Sequence, residues 1–394
     1  MSEWGAARPG GQAGMPKWDA EQPGGQAGMP EWSTARPDEQ AGMPEPSTVC
    51  PAGKAAAAVA FHNVSELEPA PGGGVYLRRF PRSVREKLLH ERGRFIAGES
   101  AGCEIRFVTA AGNVRVTLCL PETDGMVTVY KGSLFHSEHR LAAGTIRTLQ
   151  LAEPPRLADA PRERLIGSGF APEVWRIVLG RYVCIYHGIE TFGHLVRPPA
   201  PGETPALKWI AYGSSITNGG ENSSMAYIAQ AARRLRADVR NLGMSGSCMC
   251  EPVIADFLAG EEDWSMMTLE LGVNMRDNTP PEQFRERVRY MLERLHANHP
   301  GKPLFLITIY PNFASFPDHP VHGIDEQFNR ILREEAGRLD SPDLHLIEGD
   351  TVLTDMGDLS CDLIHPGDNG HILMGGNLAH RIAEKLRGYA VLPQ

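Results

Sequence analysis

Two folded units of different class are expected from this chain: an all-β sandwich or jelly roll over residues 56–200, then an α/β unit over 206–394. Three observations lead there. Between about 56 and 200 the apolar residues come in short alternating runs, broken by Gly, Pro, Asn and Asp, with hardly a helical stretch. After residue 206 the rhythm changes to strand, loop, amphipathic helix, which signals a parallel sheet with helices on both faces. Arg197-Pro-Pro-Ala-Pro-Gly-Glu-Thr-Pro205 separates the two patterns and has the composition of a linker.

Taken in order, residues 1–48 form a degenerate repeat. Trp4, Trp18 and Trp32 recur with it, as does Gln-Ala-Gly-Met-Pro starting at 12, 26 and 40. Three Pro- and Gly-rich units without apolar periodicity have no core to build, so a disordered tail is expected. In the β unit, 103–109, 114–120 and 126–130 read as strands of one sheet, with 146–151, 175–179 and 182–186 continuing the series. In the α/β unit strands are expected near 208–212, 239–243, 266–271, 303–309 and 344–348. The clearest helices are 281–298, with Phe284, Val288, Met291, Leu292 and Leu295 on its inward face, and 325–338.

Composition narrows the function classes. The chain has 394 residues, 42% of them hydrophobic and 22% charged, as in an ordinary globular protein with a sizeable core. A formal net charge of -9 argues against nucleic acid as the partner. No run approaches the roughly 18 apolar residues of a membrane span, and no signal peptide is visible, so a cytoplasmic protein without a membrane partner is expected. The seven scattered cysteines do not form a disulfide framework, and Cys248-Met-Cys250 lacks the second pair that a zinc site needs.

The chemistry lies at the strand ends. Lys208-Trp-Ile-Ala-Tyr212 runs straight into Gly213-Ser214-Ser215-Ile216-Thr217, where a tight turn presents Ser215 at the start of a helix. Gly213-Ser-Ser taken alone is common, and as a helix cap it would need no function. About 150 residues on stands Asp362-Leu-Ile-His365-Pro366. There His365 can accept the Ser215 proton through one ring nitrogen while Asp362 reaches the other. Asp368 or Asn369 can cap the following helix. Between these blocks lie Gly243-Met-Ser-Gly246 and Gly272-Val-Asn274, each after an apolar run. The Ser215 N–H, the Gly246 N–H and the Asn274 amide are candidate oxyanion donors. Asp362, His365, Asp368 and His371 recur every three residues, but Pro366-Gly367 breaks any shared face, so no metal site and no cofactor are expected.

Four such blocks in order resemble the SGNH (GDSL-type) hydrolase family over about 206–390. The resemblance implies a three-layer, flavodoxin-like α/β/α domain with five parallel strands. It casts Ser215 as nucleophile, Ser215, Gly246 and Asn274 as the oxyanion hole, and Asp362 and His365 as the rest of the triad. This sequence departs from the family at Ser214, where Asp is usual, and at Met275, where Asp often follows the oxyanion asparagine. A β-rich unit before such a domain is similar to two-domain carbohydrate esterases, which implies a small acyl ester, often acetyl on a sugar, as substrate. Acyl transfer would use the same acyl-enzyme, and a thioester substrate stays open, whereas an amide ranks low. The competing class is a catalytically silent glycan-binding protein, with Trp175, Tyr182 and Tyr186 as a sugar platform. Those aromatics fit a core better. A homo-oligomer stays open.

Overall fold

A computed structural model describes residues 58–389, so the 1–48 repeat lies outside the described residues. These residues fall within one compact unit. Eleven strands come first, and they pair as two sheets. One has the order β1-β4-β9-β6-β7, from Ala60–His62, Glu104–Thr109, Val174–Val178, Gly125–Lys131 and Leu134–Leu141, with β11 (Val196–Arg197) added on β4. The other has the order β2-β3-β10-β5-β8, from Glu66–Pro69, Val75–Arg78, Ile185–Glu190, Asn113–Cys119 and Ile146–Ala152. All pairings within both are antiparallel.

The strands expected to form one sheet are therefore split, with β4, β6 and β9 in the first sheet and β5, β8 and β10 in the second. Burial explains the division. Along β5, Val114, Val116 and Leu118 point inward while Arg115 and Thr117 point out. Each strand has one apolar face, and the two sheets cover each other's with Phe107, Val127, Val129, Trp175 and Ile177 between them. Trp175, Tyr182 and Tyr186 belong to this core and form no surface platform. The unit also contains helices that periodicity did not reveal, Arg82–Arg85, Glu91–Ala97 and Arg162–Leu165.

The remaining five strands, β12 (Leu207–Gly213), β13 (Ala237–Gly243), β14 (Met266–Glu270), β15 (Leu304–Ile307) and β16 (Leu344–Ile347), form a wholly parallel sheet in the order β13-β12-β14-β15-β16. Alternate residues feed opposite layers. Ile210, Tyr212, Met267, Leu269 and Leu306 meet the helices Pro252–Ala259, Pro281–Asn298 and His322–Leu339. Trp209, Ala211, Met266, Phe305 and Ile307 meet Tyr227–Leu235 and Asp368–Leu386. The result is a three-layer α/β/α sandwich.

The segment from Phe80 to Ala97 belongs by sequence to the β-rich half but packs with the other. Phe80, Val84, Leu88, Ile96 and Ala97 join the apolar layer of the parallel sheet. Arg79 fixes the start of this arm and has no exposed surface. Its guanidinium donates to the carbonyls of Glu99 (3.1 Å), Ile96 (2.9 Å), Asn241 (3.2 Å) and Gly243 (2.8 Å). A second link is the bidentate pair of Arg106 on β4 with Asp238 on β13, at 2.7 and 2.8 Å. Arg79→Met keeps the apolar stem and removes four hydrogen bonds, although Asn63 Nδ2 still reaches the Asn241 carbonyl and Glu99 N–H the Ile96 carbonyl. It should lower stability by at least about 3 kcal/mol, measured as a loss in urea midpoint at unchanged slope.

Candidate active site

Parallel pairing places the chemistry along one edge. Gly213 stands opposite Gly243, and Tyr212 opposite Leu269. The turns after β12, β13 and β14 therefore leave the sheet side by side, carrying Ser215, Gly246 and Asn274. The turn after β12 is tight because Gly213 has no side chain: a Cβ there would lie 2.3 Å from Thr217 Oγ1 and 2.7 Å from Glu270 Oε2. Ser214 caps the short helix Ser215–Asn218 by accepting from Ile216 N–H at 3.1 Å. That helix is a single turn, so any stabilising field at Ser215 comes from individual N–H groups and hardly from a macrodipole.

Ser215 Oγ lies 2.7 Å from His365 Nε2, and His365 Nδ1 lies 2.7 Å from Asp362 Oδ2. The loop holding the last two residues is shaped by Asp362 itself. Its Oδ1 accepts from Ser360 Oγ, Ile364 N–H and His365 N–H, each at 2.9 Å. Leu363 takes a positive φ of 55° in the middle of this turn. Ser360 N–H closes the loop on the His365 carbonyl at 2.7 Å. Partial burial would raise the Asp362 pKa, but the bonds from the His365 backbone and ring and from Ile364 outweigh it and hold the carboxyl well below its usual range. An ionised Asp362 keeps the proton on Nδ1 and leaves Nε2 to face the serine. The helix that follows begins at Asp368 behind an N-cap of Gly367, and neither Asp368 nor Asn369 supplies the expected side-chain cap.

The three candidate oxyanion donors are free. Among the described residues the N–H groups of Ser215 and Gly246 and the Asn274 amide donate to no other protein group. Asn274 is oriented through its oxygen, which accepts Cys248 N–H at 3.1 Å. Gly246 needs its residue type, with φ at 64°. His371 lies apart from the candidate metal set, stacked on Tyr227 and accepting Tyr227 N–H at 3.2 Å. Among the described residues no cluster of three or more His, Cys, Asp or Glu could hold a metal.

Sequence reasoning missed Glu270. It ends β14, is 1% exposed, and places Oε2 at 2.7 Å from both Ser214 N and Ser214 Oγ and 3.0 Å from Thr217 Oγ1. A carboxylate thus reaches the turn where the family's usual Asp is replaced by Ser214, arriving from the neighbouring strand. The signal was present, since a lone acid inside Met266-Met-Thr-Leu-Glu-Leu271 must find buried donors. Burial pushes its carboxyl up to about 7, against the Ser214 and Thr217 donors that favour the ionised form.

Residues 208–382 match the GDSL-like lipase/acylhydrolase family. This segment is a GDSL-like domain. No curated protein sequence matches the chain. Among solved structures, the salicylyl-acyltransferase SsfX3 from a tetracycline biosynthetic pathway superposes with a TM-score of 0.70 at 16% identity, covering 85% of this chain and 96% of its own. A Bacteroides ovatus protein described as a GDSL-like lipase gives 0.64 at 18%, covering 86% and 97%. A family two carbohydrate esterase from Clostridium thermocellum gives 0.56 at 15%, covering 73% and 93%. These likenesses extend beyond the GDSL-like domain into the β-rich half, so the two-part architecture is a shared fold.

The raised pKa of Glu270 has a consequence for stability. The buried protonated carboxyl is tolerated, and its benefit fades as pH rises from the unfolded value near 4.5 through about 7. Relative to Glu270→Gln, the natural protein should lose up to about 3 kcal/mol between pH 5 and pH 8. Urea unfolding of both proteins at the two pH values measures this, and parallel curves would contradict it.

Proposed function

We propose that the protein is a serine acylhydrolase that cleaves small acyl esters, acetyl above all, through an acyl-enzyme on Ser215. The observation that carries this reading is the continuous relay Ser215–His365–Asp362 with 2.7 Å at both links. His365 Nε2 takes the Ser215 proton as Oγ attacks the ester carbonyl carbon. Negative charge then grows on the carbonyl oxygen, toward the unused donors of Ser215, Gly246 and Asn274. Collapse breaks the C–O bond to the alcohol, which leaves with the proton from the imidazolium. Water, deprotonated by the same imidazole, repeats the attack and frees the acid. No step needs a cofactor.

Two features support hydrolysis of a polar alcohol's ester. The side chains of His365 and Asp362 are 41% and 49% exposed, so water has access to the acyl-enzyme. Next to them an open cleft of about 300 Å³ is bounded by Glu138, Asn222, Pro366, Asp368 and His371. Its carboxylates stand beside Met126 and Met225, a mixed lining that suits the hydroxyls and apolar ring faces of a carbohydrate or similar polyol. The fold shared with an acyltransferase supports a second reading, in which an alcohol in that cleft replaces water.

Turnover of 4-nitrophenyl acetate, butyrate and octanoate should fall with acyl length and vanish in Ser215→Ala with the fold intact. Asn274→Ala should lower kcat by roughly 10²- to 10³-fold, the cost of one oxyanion donor. Wild-type kcat in Asn274→Ala would remove that residue from the reaction. Acyl glycerol exceeding free acid in the presence of glycerol would favour transfer over hydrolysis.

A further inference from the structure

The arm from Phe80 to Ala97 brings one more group to the site. Arg92, on the helix Glu91–Ala97, is exposed at its end, yet it lies against the oxyanion loop. A Cβ built on Gly246 would stand 3.1 Å from Arg92 Nε and 3.4 Å from Cζ, and Arg92 Nε donates to the Ser245 carbonyl at 3.4 Å. Arg181 approaches the same residue from the β-rich half. Its Nη2 donates to Ser245 Oγ at 2.7 Å and its Nη1 to the Gly219 carbonyl at 3.4 Å, while its buried Nε has no partner. Gly219 N–H in turn bonds the Ser215 carbonyl at 2.9 Å. Both guanidinium groups thus sit within one residue's contact of the candidate oxyanion hole or the nucleophile turn.

Their charges are not neutralised. Half of the arginines of the two sheets and their connections are matched to carboxylates, as Arg78, Arg82 and Arg85 are to Glu68 and Arg176 is to Glu104. Arg92 and Arg181 form no ion pair among the described residues, although the acids Glu91 and Glu221 stand close to these contacts in the chain. The placement is also held firmly. The buried carboxylate of Glu251 accepts the N–H groups of Leu89 (2.6 Å) and His90 (3.1 Å) just before the helix, and Arg79 takes the Ile96 carbonyl near its end. A cation merely covering the surface would need no such anchoring.

We infer that Arg92, supported by Arg181, forms an anion subsite beside Ser215, and that the preferred ester carries a carboxylate or another negative group near the scissile bond. The inference rests on Ser215 being the nucleophile. Arg92 is a specificity residue here: its unused Nη donors face charge on the substrate, and Arg181 holds Ser245 in place beneath it. The negative group has two sources, the acyl chain or the alcohol, and the two share this chemistry.

Paired esters separate the sources. Mono-4-nitrophenyl succinate against 4-nitrophenyl butyrate places the charge on the acyl side. The ester 3-carboxy-4-nitrophenyl acetate against 4-nitrophenyl acetate places it on the alcohol. Wild type should favour the anionic member of one pair in kcat/KM by about 10- to 100-fold. Arg92→Gln should collapse that ratio, chiefly through KM, and Arg92→Lys should restore part of it. Equal rates within both pairs in wild type, or an equal loss on charged and neutral esters in Arg92→Gln, would overturn the subsite. If no ester is turned over, the nucleophile reading fails, and calorimetry with succinate and 5-hydroxy-2-nitrobenzoate still decides the subsite. Binding lost in Arg92→Gln upholds it, and absence of binding to wild type overturns it.

Discussion

The buried guanidinium of Arg79 is the constraint on which the site's geometry depends. It carries no catalytic chemistry, yet it closes two distant pieces of chain onto each other. Its Nη1 meets the carbonyls at the end of β13, three residues before Gly246, and Nη2 and Nε meet the end of the arm that carries Arg92. A single planar fork with fixed donor directions fits this task, because each N–H can satisfy a carbonyl that the fold removes from water. The end of β13 that leads to Gly246 and the end of the arm that carries Arg92 are therefore tied to one side chain.

The turn that carries Ser215 is built on the same principle with an acceptor at the centre. Glu270 gathers the Ser214 N–H, the Ser214 hydroxyl and the Thr217 hydroxyl onto one oxygen. This fixes the residues on both sides of Ser215 while leaving Oγ to His365. A short side chain at position 214 is what makes room for the longer acid from β14. The departure from the family pattern at Ser214 is thus accompanied by a carboxylate that comes from another strand.

The periodic parts of the chain are legible in its sequence. Helix Pro281–Asn298 buries the five side chains read as its inner face, and the strands of the parallel sheet fall within a few residues of their expected positions. Ser215, Asp362 and His365 meet because each stands at a strand end or loop that the parallel order brings to one edge. Periodicity could not divide the β-rich half into two sheets, since alternating strands look alike whichever sheet they join. Nor could it show Arg79, Arg92 or Arg181. Arg79 and Gly243 are 164 positions apart, and an arginine in a loop gives no local sign of which carbonyls it will reach.

The contact between Gly246 and Arg92 has an evolutionary consequence. Any side chain at position 246 would meet both an unfavourable φ and the guanidinium, whereas a smaller residue at 92 would relieve the second obstacle. The two positions are thus epistatic although 154 residues of chain separate them. A side chain at position 246 would need the Arg92 side chain to shift or shorten. Drift in a segment that looks peripheral to the GDSL-like domain would then change the room beside Gly246.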